Sequence, residues 1–111
     1  VDMSRETKTR SEFVRELSPD LSNDQRQRLQ SMAHDLHPLV LVGQNGVGEG
    51  LVENFENQLL AHELIKVKVH GGDRMRSVAR QLCEATDAQL VQSIGNILLF
   101  YQRHPEDPQI L

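Results

Sequence analysis

The 111-residue chain predicts an α/β fold, a two-layer α-β-α-β-α-β-β sandwich built on a four-stranded mixed sheet. Three observations carry that expectation. The spacing of apolar residues switches repeatedly between a helical period and a period of two. Helices separate the first strands, which favours parallel crossover pairing. The last two apolar segments, 89–94 and 97–102, are joined by Gly95-Asn96 alone, a hairpin signal that supplies an antiparallel pair.

Each element has its own local cause. Ser22 with Gln25 three positions later is a capping-box pattern. Leu29, Met32, Ala33 and Leu36 follow at helical spacing, so a helix is expected over about residues 23–35. His37-Pro38 ends it, because proline disfavours helix in the residue before it. Leu39-Val40-Leu41-Val42 is a short apolar run between breakers and reads as a buried strand, and Gly43-Gln44-Asn45-Gly46 is a loop. Helical spacing returns over 47–62, with Leu51, Phe55 and Leu59 at four-residue intervals. From Glu63 to His70 the pattern alternates: Ile65, Val67 and Val69 take one face, Lys66, Lys68 and His70 the other. Gly71-Gly72-Asp73 breaks that strand and starts a third helix, whose stripe is Met75, Val78, Ala79, Leu82 and Cys83.

Residues 1–21 are polar and mixed in charge, which suits a solvated arm or a frayed helix, and 105–111, opening on Pro105-Glu106-Asp107-Pro108, reads as a tail. The domain is therefore expected to occupy 22–104. No internal repeat or low-complexity segment is visible.

Composition narrows the function. Hydrophobic residues are 38% and aromatics only 4%, with no Trp, so a stacking platform has little to be built from. Twelve Lys and Arg stand against sixteen Asp and Glu, a net −4, so binding to a polyanion has to come from a local patch. Within 22–104 the balance is eight basic to nine acidic, so much of the acidity lies in the ends. A single cysteine excludes an internal disulfide and any multi-cysteine zinc site. No apolar run approaches the roughly 20 residues of a membrane span, and a cytoplasmic protein is expected.

The most specific local feature is the glycine-rich passage from strand to helix, Val42-Gly43-Gln44-Asn45-Gly46-Val47-Gly48. Glycines allow close backbone approach, and the N–H groups of a following helix start can receive an anion such as phosphate. The passage lacks the lysine of a P-loop and the glycine spacing of a dinucleotide site. By itself it fits a tight turn before a loose helix start equally well. Lys66 and Lys68 fit either the ordinary wet side of a half-buried strand or part of a basic patch. The same two readings hold for Arg74, Arg76 and Arg80, with Arg26, Arg28, His37 and Arg103 as further candidates. The five histidines lack ligand spacing, so neither metal nor cofactor is expected. Cys83 lies on an apolar stripe, and no nucleophile or base suggests itself. An enzyme is not expected.

Three blocks in order, Leu36-His37-Pro38-Leu39-Val40-Leu41-Val42-Gly43-Gln44-Asn45-Gly46, His62-Glu63-Leu64-Ile65-Lys66-Val67-Lys68, and Ile94-Gly95-Asn96 before Ile97–Tyr101, resemble the CRM domain, in its stand-alone bacterial YhbY-like form. The resemblance covers about residues 21–103. It implies a fold similar to the C-terminal domain of translation initiation factor three. It implies RNA binding in assembly of the large ribosomal subunit, with precursor ribosomal RNA and ribosomal proteins as partners. It also implies that Gly43, Gln44, Asn45 and Gly46 form an RNA-contacting loop like that of KH domains, with Lys66, Lys68 and Arg103 at basic positions; His37, Arg74 and Arg76 join them as candidates. Relatives tend to be basic and often carry lysine where this chain has His37 and Asn96. Each lost cation removes one potential phosphate contact. A monomer is expected. The alternative is an adapter of the same fold that binds a protein on the ribosome or its precursors through its acidic surface and arm.

Overall fold

A short helix, α1 (Arg10–Glu16), begins the fold, with Thr9 as its cap accepting from the Glu12 N–H at 3.1 Å. The structure is a computed structural model, and it describes residues 8–111. After α1 come α2 (Asn23–Met32), β1 (Pro38–Val42), α3 (Glu49–His62), β2 (Leu64–Val69), a 3-10 turn (Gly72–Arg74), α4 (Met75–Ala85), β3 (Gln89–Ile94) and β4 (Ile97–Tyr101).

The capping box forms as expected: the Ser22 hydroxyl accepts from the Gln25 N–H at 3.1 Å, and the Gln25 side chain accepts from the Ser22 N–H at 3.0 Å. The four strands lie in the order β1-β2-β4-β3. β1 and β2 are parallel, and the other two neighbouring pairs are antiparallel, so the sheet is mixed. Gly95 has φ +56° while Asn96 stays out of the left-handed region, the pattern of a type II′ hairpin.

The alternation along each strand divides the core. On one face Val40, Val42, Ile65, Val67, Val69, Leu98 and Phe100 meet Phe55 and Leu59 of α3 and Met75, Val78, Ala79 and Leu82 of α4. Phe55 and Phe100 pack edge to face with centroids 4.9 Å apart. The opposite face carries Leu64, Val91, Leu99 and Tyr101, covered in part by Leu29 and Ala33 of the α2 segment and by Ile110 and Leu111. Among the described residues no helix is long and apolar enough to cross a membrane.

Part of the N-terminal end differs from the sequence expectation of a solvated arm or frayed helix. Residues 1–7 of the expected arm lie outside the described residues. Residues 10–16, however, are a packed helix: Phe13 and Val14 are buried in the main core, and Leu17 accepts from the Leu90 N–H at 3.3 Å. Two adjacent apolar residues in a charged run have no period to betray them, and their burial depends on β3 and α4, which come much later in the chain. The C-terminal tail is tied down as well. Glu63 is a buried carboxylate that accepts from the Gln109 N–H at 2.6 Å and the His104 N–H at 3.2 Å.

Candidate nucleic-acid interface

Register decides what meets at the functional end. Val42 pairs with Val69 at the close of the parallel strands, so the loops after β1 and β2 leave the same edge of the sheet. The hairpin arrives there too, because Ile97 pairs with Lys68 and the Val69 N–H donates to the Asn96 carbonyl at 2.8 Å. Gly43–Gly46, Gly71–Arg74 and Gly95-Asn96 thus converge, at the carboxyl ends of the parallel strands where open α/β sheets place ligands.

The first of these loops closes on itself: the Gly46 N–H donates to the Gly43 carbonyl at 3.1 Å, leaving Gln44 and Asn45 exposed at the tip. Gly46 has φ +74°, which favours glycine, and a Cβ there would lie 3.3 Å from Arg74 Nη2, so the guanidinium would have to give by a few tenths of an ångström. Arg74 is half-buried beneath the loop. Its Nη1 donates to the Gly43 and His70 carbonyls, each at 3.0 Å. The guanidinium therefore positions the loop rather than reaching outward from it, while still lending it positive charge.

Helix starts add to that field. The caps of α3 and α4, Gly48 and Arg74, make no side-chain capping bond; at α4 the 3-10 turn takes up the first donor, the Met75 N–H, through the Gly72 carbonyl, so α3 is the helix start with the freer N–H groups. Glu49 in the first turn of α3 offsets part of the effect.

The other expected contacts divide by position. Lys68 is exposed on the rung beside Leu41, next to the loop end, and makes no hydrogen bond or ion pair with any described residue. Arg76, near the start of α4, lies with its guanidinium 5.1 Å over the Phe13 ring, beside Gly72 and Gly95. Lys66 is turned to local work: its Nζ donates to the Leu36 carbonyl at 2.9 Å. His37 and Arg103 are not brought to the loop. Pro38 pairs with Lys66, and Arg103 follows Tyr101, which pairs with Leu64. From Val69 to Leu64 the strand runs roughly 17 Å at about 3.3 Å per residue.

Two more arginines serve the fold. Arg26 donates to Ser18 Oγ at 2.9 Å and to the Leu90 and Val91 carbonyls, and burial lowers its pKa from the ordinary arginine value. Arg80 pairs with Glu16 at 3.2 Å; Lys8 and then Arg80 hold that carboxyl below its ordinary value. Burial pushes the Cys83 thiol up to about 11, so it is not a thiolate at neutral pH. Among the described residues no three His, Cys, Asp or Glu side chains gather as metal ligands.

Sequence reasoning passed over Gly71-Gly72 and Gly95-Asn96 as parts of the site. Their glycines are visible as strand breaks, but only the register of β2 against β1 and β4 carries them to the first loop.

Comparison with known proteins places this geometry in context. The CRS1 / YhbY (CRM) domain matches residues 21–102. A Haemophilus influenzae protein named "RNA-binding protein" is 44% identical over 88 residues, covering 78% of this chain and 89% of that one. "Probable RNA-binding protein YqeI" of Bacillus subtilis is 37% identical over 92 residues, covering 81% and 96%. The solution structure of the protein SAV1595 from Staphylococcus aureus matches with a TM-score of 0.70 at 33% identity, covering 82% of this chain and 97% of that one.

Proposed function

The chain belongs to the CRS1/YhbY (CRM) domain family, and from that premise we propose that it binds RNA without catalysing a reaction, gripping the backbone with the Gly43–Gly46 loop. The observation that carries this reading is the convergence of three glycine-bearing loops at one sheet edge, beside two helix starts without side-chain caps and the exposed cations Lys68 and Arg76. Exposed loop N–H groups and glycines suit phosphate and ribose, which fix position along a strand without reading its bases. Gln44 and Asn45 at the tip are the proposed direct contacts, with Gly43 and Gly46 shaping the turn. Lys68 and Arg76 are the proposed neighbouring cations.

The RNA proposed is precursor ribosomal RNA of the large subunit, met as a monomer in the cytoplasm during subunit assembly, with ribosomal proteins nearby. Support for that finer assignment is the resemblance of the three sequence blocks to the family. At net −4 the affinity should be local and strongly dependent on salt.

A second reading has one observation in its favour. The groove between α3 and α4 is lined by Glu49, Glu53, Glu56 and Glu84 and by no lysine or arginine, which suits a protein adapter with a basic partner. Fluorescence anisotropy on large-subunit precursor RNA over a salt series separates the two. The RNA reading expects steep loss with salt and collapse in the Gln44→Asp, Asn45→Asp double variant, with its fold checked by circular dichroism. Absence of binding at low salt would leave the adapter reading in front.

A further inference from the structure

Among the described residues, helix α1 is the one helix or strand that lies outside the matched domain span, residues 21–102. Its first residue, Arg10, lies at the loop end beside Gly72 and Gly95, and its C-cap Leu17 reaches Leu90 near the start of β3. Its Phe13 is buried, and two guanidinium groups of α4 lie over that ring, Arg76 at 5.1 Å and Arg80 at 5.4 Å. The two arginines have different fates. Arg80 is paired with Glu16 of the same helix α1, whereas Arg76 has no ion-pair partner among the described residues.

Arg76 opens instead onto a cleft that it shares with Arg10, the first residue of α1. Gly72 and Gly95 line the cleft with Ser93, and Asp73 is its one carboxylate against the two arginines. Stacking on Phe13 holds the Arg76 guanidinium plane while leaving its edge donors free for a bidentate acceptor. Glycine on the lining removes the side chains that would keep a phosphate away. The cleft also adjoins the Gly71–Arg74 loop, whose arginine supports the first glycine loop through the Gly43 carbonyl.

We propose that this cleft is a second phosphodiester subsite, in which Arg10 and Arg76 hold the backbone of the same single RNA strand that the Gly43–Gly46 loop grips. Helix α1 is then an accessory RNA-binding element added to the domain; neutral as a whole, it brings the one positive charge of Arg10 to the cleft. The inference rests on the RNA-binding reading above and extends it.

The test compares two mixed-sequence single-stranded RNAs, one of about 4 nucleotides, enough for a loop clamp, and one of about 12, enough to continue past it. Binding of the full chain is read by anisotropy over a salt series. In the Arg10→Gln, Arg76→Gln double variant the longer RNA should bind roughly tenfold more weakly at about 0.15 M salt, with the log–log salt slope reduced by ~1.4, or ~0.7 per lost phosphate contact. The shorter RNA should bind the Arg10→Gln variant as it binds the native chain, because Arg10, unlike Arg76, is not among the cations beside the loop. Arg10→Gln alone, at an exposed position with no described hydrogen bond, should show half the slope change and guards against a fold defect from Arg76→Gln. An unchanged slope on the longer RNA, with the Gln44→Asp, Asn45→Asp variant still losing both RNAs, would overturn the subsite and leave the loop reading standing. Failure of the native chain to bind either RNA would remove both.

Discussion

The two ends of the sheet are organised by one device with opposite sign. At the loop end a half-buried cation, Arg74, donates to two backbone carbonyls, those of Gly43 and His70. At the far end a buried anion, Glu63, accepts from two backbone N–H groups, those of His104 and Gln109. The difference has a functional consequence. Where a cation occupies the carbonyls, positive charge is left beside the glycine loop, the sign that complements a phosphate. Where a carboxylate occupies the N–H groups, the donors are spent and a negative charge remains. The far end also meets the C-terminal tail, whose Ile110 and Leu111 pack with Leu64 and Tyr101. Among the described residues, no tail is seen to cover the loop end, whereas the far end is closed by the chain itself.

The comparison can be tested from both sides. Glu63→Ala should have the largest effect on stability, about 2–4 kcal/mol, because two tail N–H groups lose a charged acceptor. Urea denaturation should record that loss while RNA affinity, measured on the folded variant, stays unchanged. Arg74→Ala should cost about 1–3 kcal/mol for its two abandoned carbonyls. It should also weaken RNA binding by about tenfold, through a lost cation and a looser loop. A lysine at position 74 that restored full RNA affinity without restoring stability would assign the arginine's role there to charge alone, and the symmetry of the two ends would fail.

Smaller effects sharpen the boundary. Gly46→Ala puts a side chain on a residue at φ +74° and 3.3 Å from Arg74 Nη2. About 1–2 kcal/mol of strain should lower the melting temperature, with RNA affinity falling in parallel as the loop shifts. Smallest of all should be His37→Ala and Arg103→Ala. These positions stand roughly 17 Å along the sheet from the loop, about two Debye lengths at physiological salt, so affinity should change by less than about twofold in the same titration. A large effect from either would move the RNA path down the sheet toward Lys66.

Much of the fold is legible from local pattern. The alternation of Ile65, Val67 and Val69 against Lys66 and Lys68 reappears as buried and wetter faces of β2. The Ser22–Gln25 reciprocal bonds and the Gly95-Asn96 turn likewise form where the residues announce them. Of the candidate site, the first glycine loop is visible in sequence because its residues are consecutive. The working role of Arg74 is not, since an arginine reaching back to a carbonyl 31 residues earlier looks, in sequence, like any arginine on a wet helix face.

The sequence by itself therefore determined the elements from residue 22 onward, their order and the glycine loop, because capping, periodicity and turn chemistry act over spans of two to a few residues. Tertiary structure alone decided which cations stand together, that α1 packs against the core, and that Glu63 is buried to hold the tail. Those outcomes depend on strand register and on contacts between residues dozens of positions apart. A one-residue shift in the β1–β2 register would turn the strand faces over and separate the same side chains.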